Sequence, residues 1–464
     1  MPGPKTLKDK MKKLFGAPEE VTETVLRPFQ RFVHNEVSSG MVLLAATVIA
    51  LVWANSALYE TYGQIWHTEL SFTLAGASIT KNLGHWIDEG LMAIFFFIVG
   101  LEIKREMLVG ELSSLKKALL PVSAAMGGML IPALLYHMVN RGLPSESGWG
   151  IPMATDIAFA LGALAVIGRG LPRGLRLFLS AFAIADDIGA VFVIAIFYQK
   201  GLNFQYIPHV MVVIAALALA NYFWIRKTLP YAVLGILLWL GFIALGLHAT
   251  VAGIVVALFI PAKGRYDTDR FMDEVMLIMS KFSCPTEGCG RDILLNERHL
   301  NAVQSLEIAC HNVETPLQRL ETALHPWVAF MVVPLFALVN AGVHLGDMDL
   351  MAAVSDPITM GIIIGLVAGK PAGILVFSWI AVKLRLADMP EGVRWSHVLG
   401  VGMLGGIGFT MSLFIAGLSF KSHELYEYSK LGILIASVMS ALLGLTYLLW
   451  LSRRSRYSSE PAHE

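Results

Sequence analysis

Two adjacent aspartates, Asp186 and Asp187, lie in the middle of an apolar run, LFLSAFAIADDIGAVFVIAIFY (177–198). The run is long enough to cross a bilayer as a helix. A carboxylate at the centre of such a helix costs about 2.5–3.5 kcal/mol on insertion scales, so two in succession need a compensating task, and carriage of cations or protons is the usual one. Other ionisable groups at that depth are few: Asp88 near a span start, Asp156 in GIPMATDIAFALG, and Lys370 in GIIIGLVAGKPAGILVFSW. On a helix, Asp186 and Asp187 stand about 100° apart. One can therefore pair with Lys370 while the other faces a water-filled cavity. A small hard cation prefers oxygen ligands, and Thr155 and Asp187 offer a hydroxyl and a carboxylate. The bland alternative is a set of buried ion pairs that only fix packing. Four acids and one base near two interrupted helices favour the functional reading.

The interruptions are themselves legible. Gly150, Pro152 and Gly162 bracket Asp156, and Gly405, Gly406 and Gly408 permit an unwound stretch in GVGMLGGIGFTMS. A broken helix exposes N–H groups on one side and C=O groups on the other, each end carrying about half a unit charge. In lipid those ends must find partners. Asp156 can neutralise positive ends, and Lys370 can neutralise negative ends or an aspartate.

The elements that must hold these groups are membrane helices. The 464 residues are 56% hydrophobic and 15% charged, against about 25% charged for a soluble domain. Twelve candidate spans follow, near 39–57, 86–103, 118–138, 151–168, 177–199, 208–225, 231–246, 247–262, 326–343, 358–382, 397–420 and 430–451. With the N-terminus inside, 29 of the 35 Lys and Arg fall in inner segments. That bias places both termini in the cytoplasm. The expected organisation is a cytoplasmic N-terminal segment (1–37), helices 1–8 (38–262), a cytoplasmic loop (263–320), helices 9–12 (321–452) and a cytoplasmic tail (453–464). The N-terminal segment is polar and amphipathic and carries no cleavable signal peptide. A net charge of zero gives no bulk reason to expect nucleic acid.

Three connections add detail. Trp66 to Lys81 alternates polar and apolar residues and turns at Ala75-Gly76-Ala77, which reads as a small external β-hairpin. A lone hairpin is marginally stable, so it packs on its own loops or pairs with something else. Segment 263–320 is a long loop of mixed charge, partly helical around Arg270 to Lys281. It holds all three cysteines, Cys284, Cys289 and Cys310. Their spacing, with His299 and His311 nearby, is not a standard zinc pattern, and free thiols are expected. A small-residue-rich span followed by an interrupted one occurs at 118–168 and again at 358–420, as in transporters built from inverted repeats.

Seven motifs, ATDIAFALG (154–162), AIADDIGA (183–190), GLEIKRE (100–106), GLHATVAG (246–253), LHPWVAF (324–330), GKPAGI (369–374) and GIGFTMSLFIA (406–416), resemble those of NhaA-type sodium/proton antiporters, in family order from about residue 30 to 450. The resemblance implies an all-α polytopic fold of twelve helices, with inverted repeats and two crossed, interrupted helices, the fourth and eleventh. It implies that Asp187 and Asp186 bind Na+ (or Li+) and protons and that Lys370 pairs with the first of them. Thr155 and Asp156 match the hydroxyl and acid at the crossing. The hairpin at 66–81 matches a dimerisation element, implying a homodimer in a bacterial inner membrane. Glu102, Glu106, Glu321, His325 and His248 match the pH-sensing region, which is only partly kept: Thr322 stands where well-known members have histidine, and histidine is the side chain that titrates near neutral pH. Segment 263–320 is longer than in the best-known members.

The activity so implied is exchange of cytoplasmic Na+ for external protons by alternating access, without a cofactor. Cation and protons compete for the same aspartates, and the exchange is electrogenic. Two other readings are weighed. A same-fold carrier would move another cation or a sodium-coupled solute. An intramembrane aspartyl protease needs two aspartates on separate helices, which Asp156 and Asp187 formally supply, but the chain lacks a GxGD motif.

Overall fold

The computed structural model describes residues 36–457 apart from 75–76, 168–169, 200, 202, 265, 281–296 and 347–348. The described chain is mostly helical, because apolar runs in lipid can satisfy their backbone only internally. In chain order come α1 (Glu36–Ala54), α2 (Tyr59–His67), strands β1 (Glu69–Leu74) and β2 (Ala77–Asn82), α3 (Leu83–Val109) and α4 (Leu115–Asn140). A 3₁₀ segment, Pro144–Met153, leads into α5 (Ile157–Ile167). Then follow α6 (Arg173–Phe197), α7 (Ile207–Tyr222), α8 (Thr228–Leu245), α9 (Ala249–Phe259), α10 (Thr268–Ser280) and α11 (Glu297–Val313). Helices α12 (Pro316–Trp327) and α13 (Val333–Asn340) are joined through a π turn. So are α15 (Pro357–Ile363) and α16 (Lys370–Lys383), after the short α14 (Leu350–Ser355). The chain ends in α17 (Trp395–Gly405), α18 (Phe409–Ser419) and α19 (His423–Tyr457).

Among the described residues, 8 helical stretches are long and apolar enough to cross a membrane. Two bent pairs, Pro144–Met153 with α5 (41°) and α17 with α18 (49°), bring the number to 10 if each pair is one span. The strands pair antiparallel in the register Glu69↔Asn82 to Leu74↔Ala77. The turn residues 75–76 expected between them lie outside the described residues, as do Cys284, Cys289, the N-terminal segment to residue 35 and the tail from 458.

The chain divides into two compact units. The first comprises 1–88, 115–190 and 326–464. Its centre is the contact of α4 with α16, where glycine is obligatory: a Cβ on Gly127 would lie 2.2 Å from the carbonyl oxygen of Gly373, and one on Gly373 would lie 2.1 Å from that of Gly127. Small residues at a membrane helix contact let backbones approach this closely. The second unit comprises 89–114 and 191–325. It packs α7, α8 and α9 around Leu101, Leu238, Phe242 and Val256.

The described residues of segment 263–320 hold two helices. Helix α10 covers 270–280 of the helix expected near Arg270 to Lys281, Lys281 lying outside the described residues, and α11 is a second helix; the two share Ile278, Ala302 and Ala309. Helix α12 then starts at Pro316, ten residues before the span that the apolar pattern begins at 326. The start has a local cause. Proline is tolerated in a first turn, and the Thr315 hydroxyl accepts the Gln318 N–H at 3.1 Å as a cap.

Candidate functional site

The two bent pairs meet at their breaks in the first unit. Residues 154–156 carry the chain from Met153 to α5, and residues 406–408 carry it from α17 to α18. Across the crossing, the Asp156 N–H donates to the Ile407 carbonyl at 2.7 Å. The Thr155 hydroxyl donates to the Gly405 carbonyl at 2.9 Å, and the Ser412 hydroxyl to the Ile151 carbonyl at 2.8 Å. The Ile151 and Gly405 carbonyls, at the negative ends of the two half-helices, are thus met from the opposite strand of the crossing. The Met153 carbonyl accepts from the Lys370 ammonium.

The positive ends share one carboxylate. Asp156 Oδ1 accepts the Phe159 N–H of α5 at 3.1 Å. Its Oδ2 accepts from α18 both the Thr410 N–H, at 3.2 Å, and the Thr410 hydroxyl, at 2.5 Å. The rings of Phe159 and Phe409 close the gap edge to face at 5.2 Å. A side-chain carboxylate on first-turn N–H groups is the ordinary way to satisfy a helix start. Here one residue serves two helices.

Lys370 reaches the site from α16. The residues before it, Ile364–Gly369, form a π turn, and Pro371 supplies no N–H. π turns in membrane helices are frequent at functional positions. The Lys370 ammonium lies 2.8 Å from Asp186 Oδ2, and both side chains are almost wholly buried, 0% and 1% exposed. Asp186 Oδ1 is buried and meets no hydrogen-bond donor among the described residues. Thr155 lies beside this carboxylate. Asp187 is also buried and within coulombic reach of Lys370. An ion pair plus a further carboxylate, beside hydroxyl and carbonyl oxygens, is the donor set that a small monovalent cation requires.

Thr155, Asp156, Asp186, Asp187 and Lys370 therefore fall in one buried region. The five residues singled out for pH sensing do not form one group. In the second unit Arg105 Nη1 lies 2.5 Å from Glu321 Oε1, and His325 Nδ1 lies 3.7 Å from Glu102 Oε1. Glu106 turns away and accepts the Glu111 N–H at 2.6 Å, capping the turn after α3. His248 is buried at the start of α9, with its ring against the Tyr198 carbonyl. Sequence reasoning missed Thr410, Arg105 and Ser437, the last of which accepts the Phe409 N–H at 3.1 Å. The motifs GLEIKRE and GIGFTMSLFIA contain the first two, but nothing in a hydroxyl's spacing marks which N–H it will meet.

The family profile described as Na+/H+ antiporter 1 matches residues 30–448. The chain belongs to the Na+/H+ antiporter 1 family. It is 45% identical over 437 residues to the Na+/H+ antiporter NhaA 2 of Syntrophotalea carbinolica, spanning 94% of this chain and 98% of that one. It is 46% identical over 431 residues to the NhaA of Acidithiobacillus ferrooxidans, spanning 93% and 99%. The solved sodium proton antiporter MjNhaP1 of Methanocaldococcus jannaschii at pH 8 aligns over 90% of this chain and 92% of its own, with a TM-score of 0.48 and 10% identity. Membership of this antiporter family sets the protease reading aside.

Proposed function

We propose that this protein is a secondary transporter that exchanges cytoplasmic Na+ (or Li+) for external protons across a bacterial inner membrane. The observation that carries the site assignment is the buried Lys370–Asp186 pair, at 2.8 Å, next to Asp187 and beside the crossing of two broken helices. The cation binds Asp187 and Asp186 with the Thr155 oxygen, while protons compete for the same carboxylates. Asp156 and Lys370 balance the helix ends. Because one occupant excludes the other, cation entry expels protons. Rocking of the two repeats about the crossing exposes the site to each side in turn.

Family resemblance and the charge bias support a reading of twelve spans, with α3 and α9 added, and of both termini in the cytoplasm. The repeat pairs α4 and the first broken span with α15–α16 and the second broken span. Strands β1 and β2 form the external hairpin of a homodimer. The cluster of Glu102, Arg105, Glu321 and His325 sets the pH response at the cytoplasmic end of the second unit, with Glu106 and His248 acting outside it. The test is sodium-induced pH change in inside-out vesicles. Asp187→Asn is expected to abolish it, and wild-type exchange in that variant overturns the site.

A further inference from the structure

Helix α18 begins beside a crowded polar shell, and its first N–H groups cannot be satisfied from within the helix. Two of them are met from different elements: Phe409 by the Ser437 hydroxyl of α19 at 3.1 Å, and Thr410 by Asp156 at 3.2 Å. The Phe159 and Thr410 N–H groups that donate to Asp156 belong to helix backbones and cannot leave without unwinding a helix, whereas the Thr410 hydroxyl, at 2.5 Å, is a side-chain donor. Without that hydroxyl, Oδ2 loses its closest donor and keeps the longer 3.2 Å contact to the Thr410 N–H.

Asp156 is joined directly to Thr155. Its own N–H is fixed on the Ile407 carbonyl, and the Thr155 hydroxyl donates to Gly405. A hydroxyl that donates still has two acceptor lone pairs, so Thr155 can present oxygen to a cation as long as the 155–156 peptide is held. From this geometry we infer that Thr410 is a positioning residue of the exchange site: by holding the second oxygen of Asp156 on the start of α18, its hydroxyl fixes the peptide that aims the Thr155 oxygen. Ser437 supports it by taking the neighbouring N–H, which would otherwise compete for Asp156. The inference rests on the proposed exchange site and adds a residue to it. It concerns affinity for the cation rather than the rate of the conformational step, because the backbone breaks are untouched.

The experiment is sodium-induced proton release from inside-out vesicles, with apparent KM for Na+ and maximal rate measured separately at one fixed pH. Thr410→Val keeps the shape and removes the hydroxyl. It is expected to raise KM about tenfold, about 1.4 kcal/mol of binding, and to leave the maximal rate within about twofold. Thr410→Ser restores the hydroxyl and is expected to return KM to within about twofold of wild type. Ser437→Ala is expected to raise KM about threefold, and its effect should not multiply with that of Thr410→Val, since both act on one carboxylate. Ser437→Ala against Ser437→Thr carries the comparison if Thr410→Val does not reach the membrane. A purely structural threonine would lower rate and membrane yield together and would not be rescued by serine. The inference is overturned by a Thr410→Val KM within twofold of wild type, by Thr410→Ser as impaired as Thr410→Val, or by effects of the two sites that simply multiply. An active Asp187→Asn would instead remove the site assignment, whereas a wild-type KM in Thr410→Val beside an inactive Asp187→Asn removes this inference alone.

Discussion

Removing the Lys370 ammonium should destabilise the folded protein strongly, and the geometry sets the scale. Nζ lies 2.8 Å from Asp186 Oδ2, with 0% and 1% of the two side chains exposed, and it also serves the Met153 carbonyl. Water cannot replace either contact. Deleting one partner of a buried pair leaves the other charge uncompensated and costs about 3–5 kcal/mol. Lys370→Met keeps most of the volume and removes the charge, so nearly all of its effect is electrostatic. Replacing both partners is a different case, because a neutral pair carries no stranded charge and is often close to harmless. Lys370→Met with Asp186→Asn is therefore expected to be more stable than Lys370→Met alone. The assay is thermal unfolding of the purified protein in detergent, followed by loss of the monodisperse peak in size-exclusion chromatography. The single variant should lose several degrees, and the double variant should regain at least half of that loss. An unchanged midpoint in Lys370→Met, or a double variant as unstable as the two singles combined, would refute the reasoning, since either would mean that the pair is solvated.

Two other expectations concern packing and topology. Gly127→Ala and Gly127→Val place a carbon 2.2 Å from the Gly373 carbonyl oxygen. Overpacking of a tight contact costs about 1–3 kcal/mol or more, so membrane yield of folded protein should fall from glycine to alanine to valine, and equal yields would show that α4 and α16 can separate. Cys310 is exposed. With Cys284 and Cys289 replaced by serine, a membrane-impermeant maleimide should label it in inside-out but not right-side-out vesicles, and the reverse pattern would invert the proposed topology.

How much was legible in the sequence depends on what each residue does with its neighbours. Asp156, Asp186, Asp187 and Lys370 stood out because charge in an apolar run is costly wherever it lies, and the breaks stood out because Gly and Pro cluster at them. The roles of Thr410 and Ser437 did not, since a hydroxyl in a membrane helix has ordinary partners on its own backbone, as Thr47 has on Leu43 at 2.8 Å. Lys370 meets Asp186 at 2.8 Å, and nothing in the spacing of the two adjacent aspartates marks which of them it would meet. Helix α10 was readable because its inward side carries Phe271 and Ile278. Helix α11 was not, because two of its core positions are the small residues Ala302 and Ala309, which contribute little to any periodic signal. Glu106 was named through the family resemblance alone, and its hydrogen bond to the Glu111 N–H of the following turn, at 2.6 Å, has no sign in its spacing.

The charges at the crossing bear on whether exchange moves net charge. The positive starts of α5 and α18, about half a unit each, are matched by Asp156. The negative ends at Met153 and Gly405 are of similar size and opposite sign. Together with Lys370, Asp186 and Asp187, all buried, the proposed site then holds about two negative charges. In the proposed cycle one sodium ion would remove one of these, whereas protons on both Asp186 and Asp187 would remove both. Excess charge in a low-dielectric interior is unfavourable, so the proton-loaded state should carry the larger number of positive charges. The proposed cycle is then expected to return more positive charge than it exports. In inside-out vesicles with no pH gradient, a lumen-positive potential imposed with potassium and valinomycin should drive sodium into the lumen against no other force. Sodium uptake indifferent to that potential would mean one proton per sodium, and with it that only one of Asp186 and Asp187 exchanges its proton in the cycle.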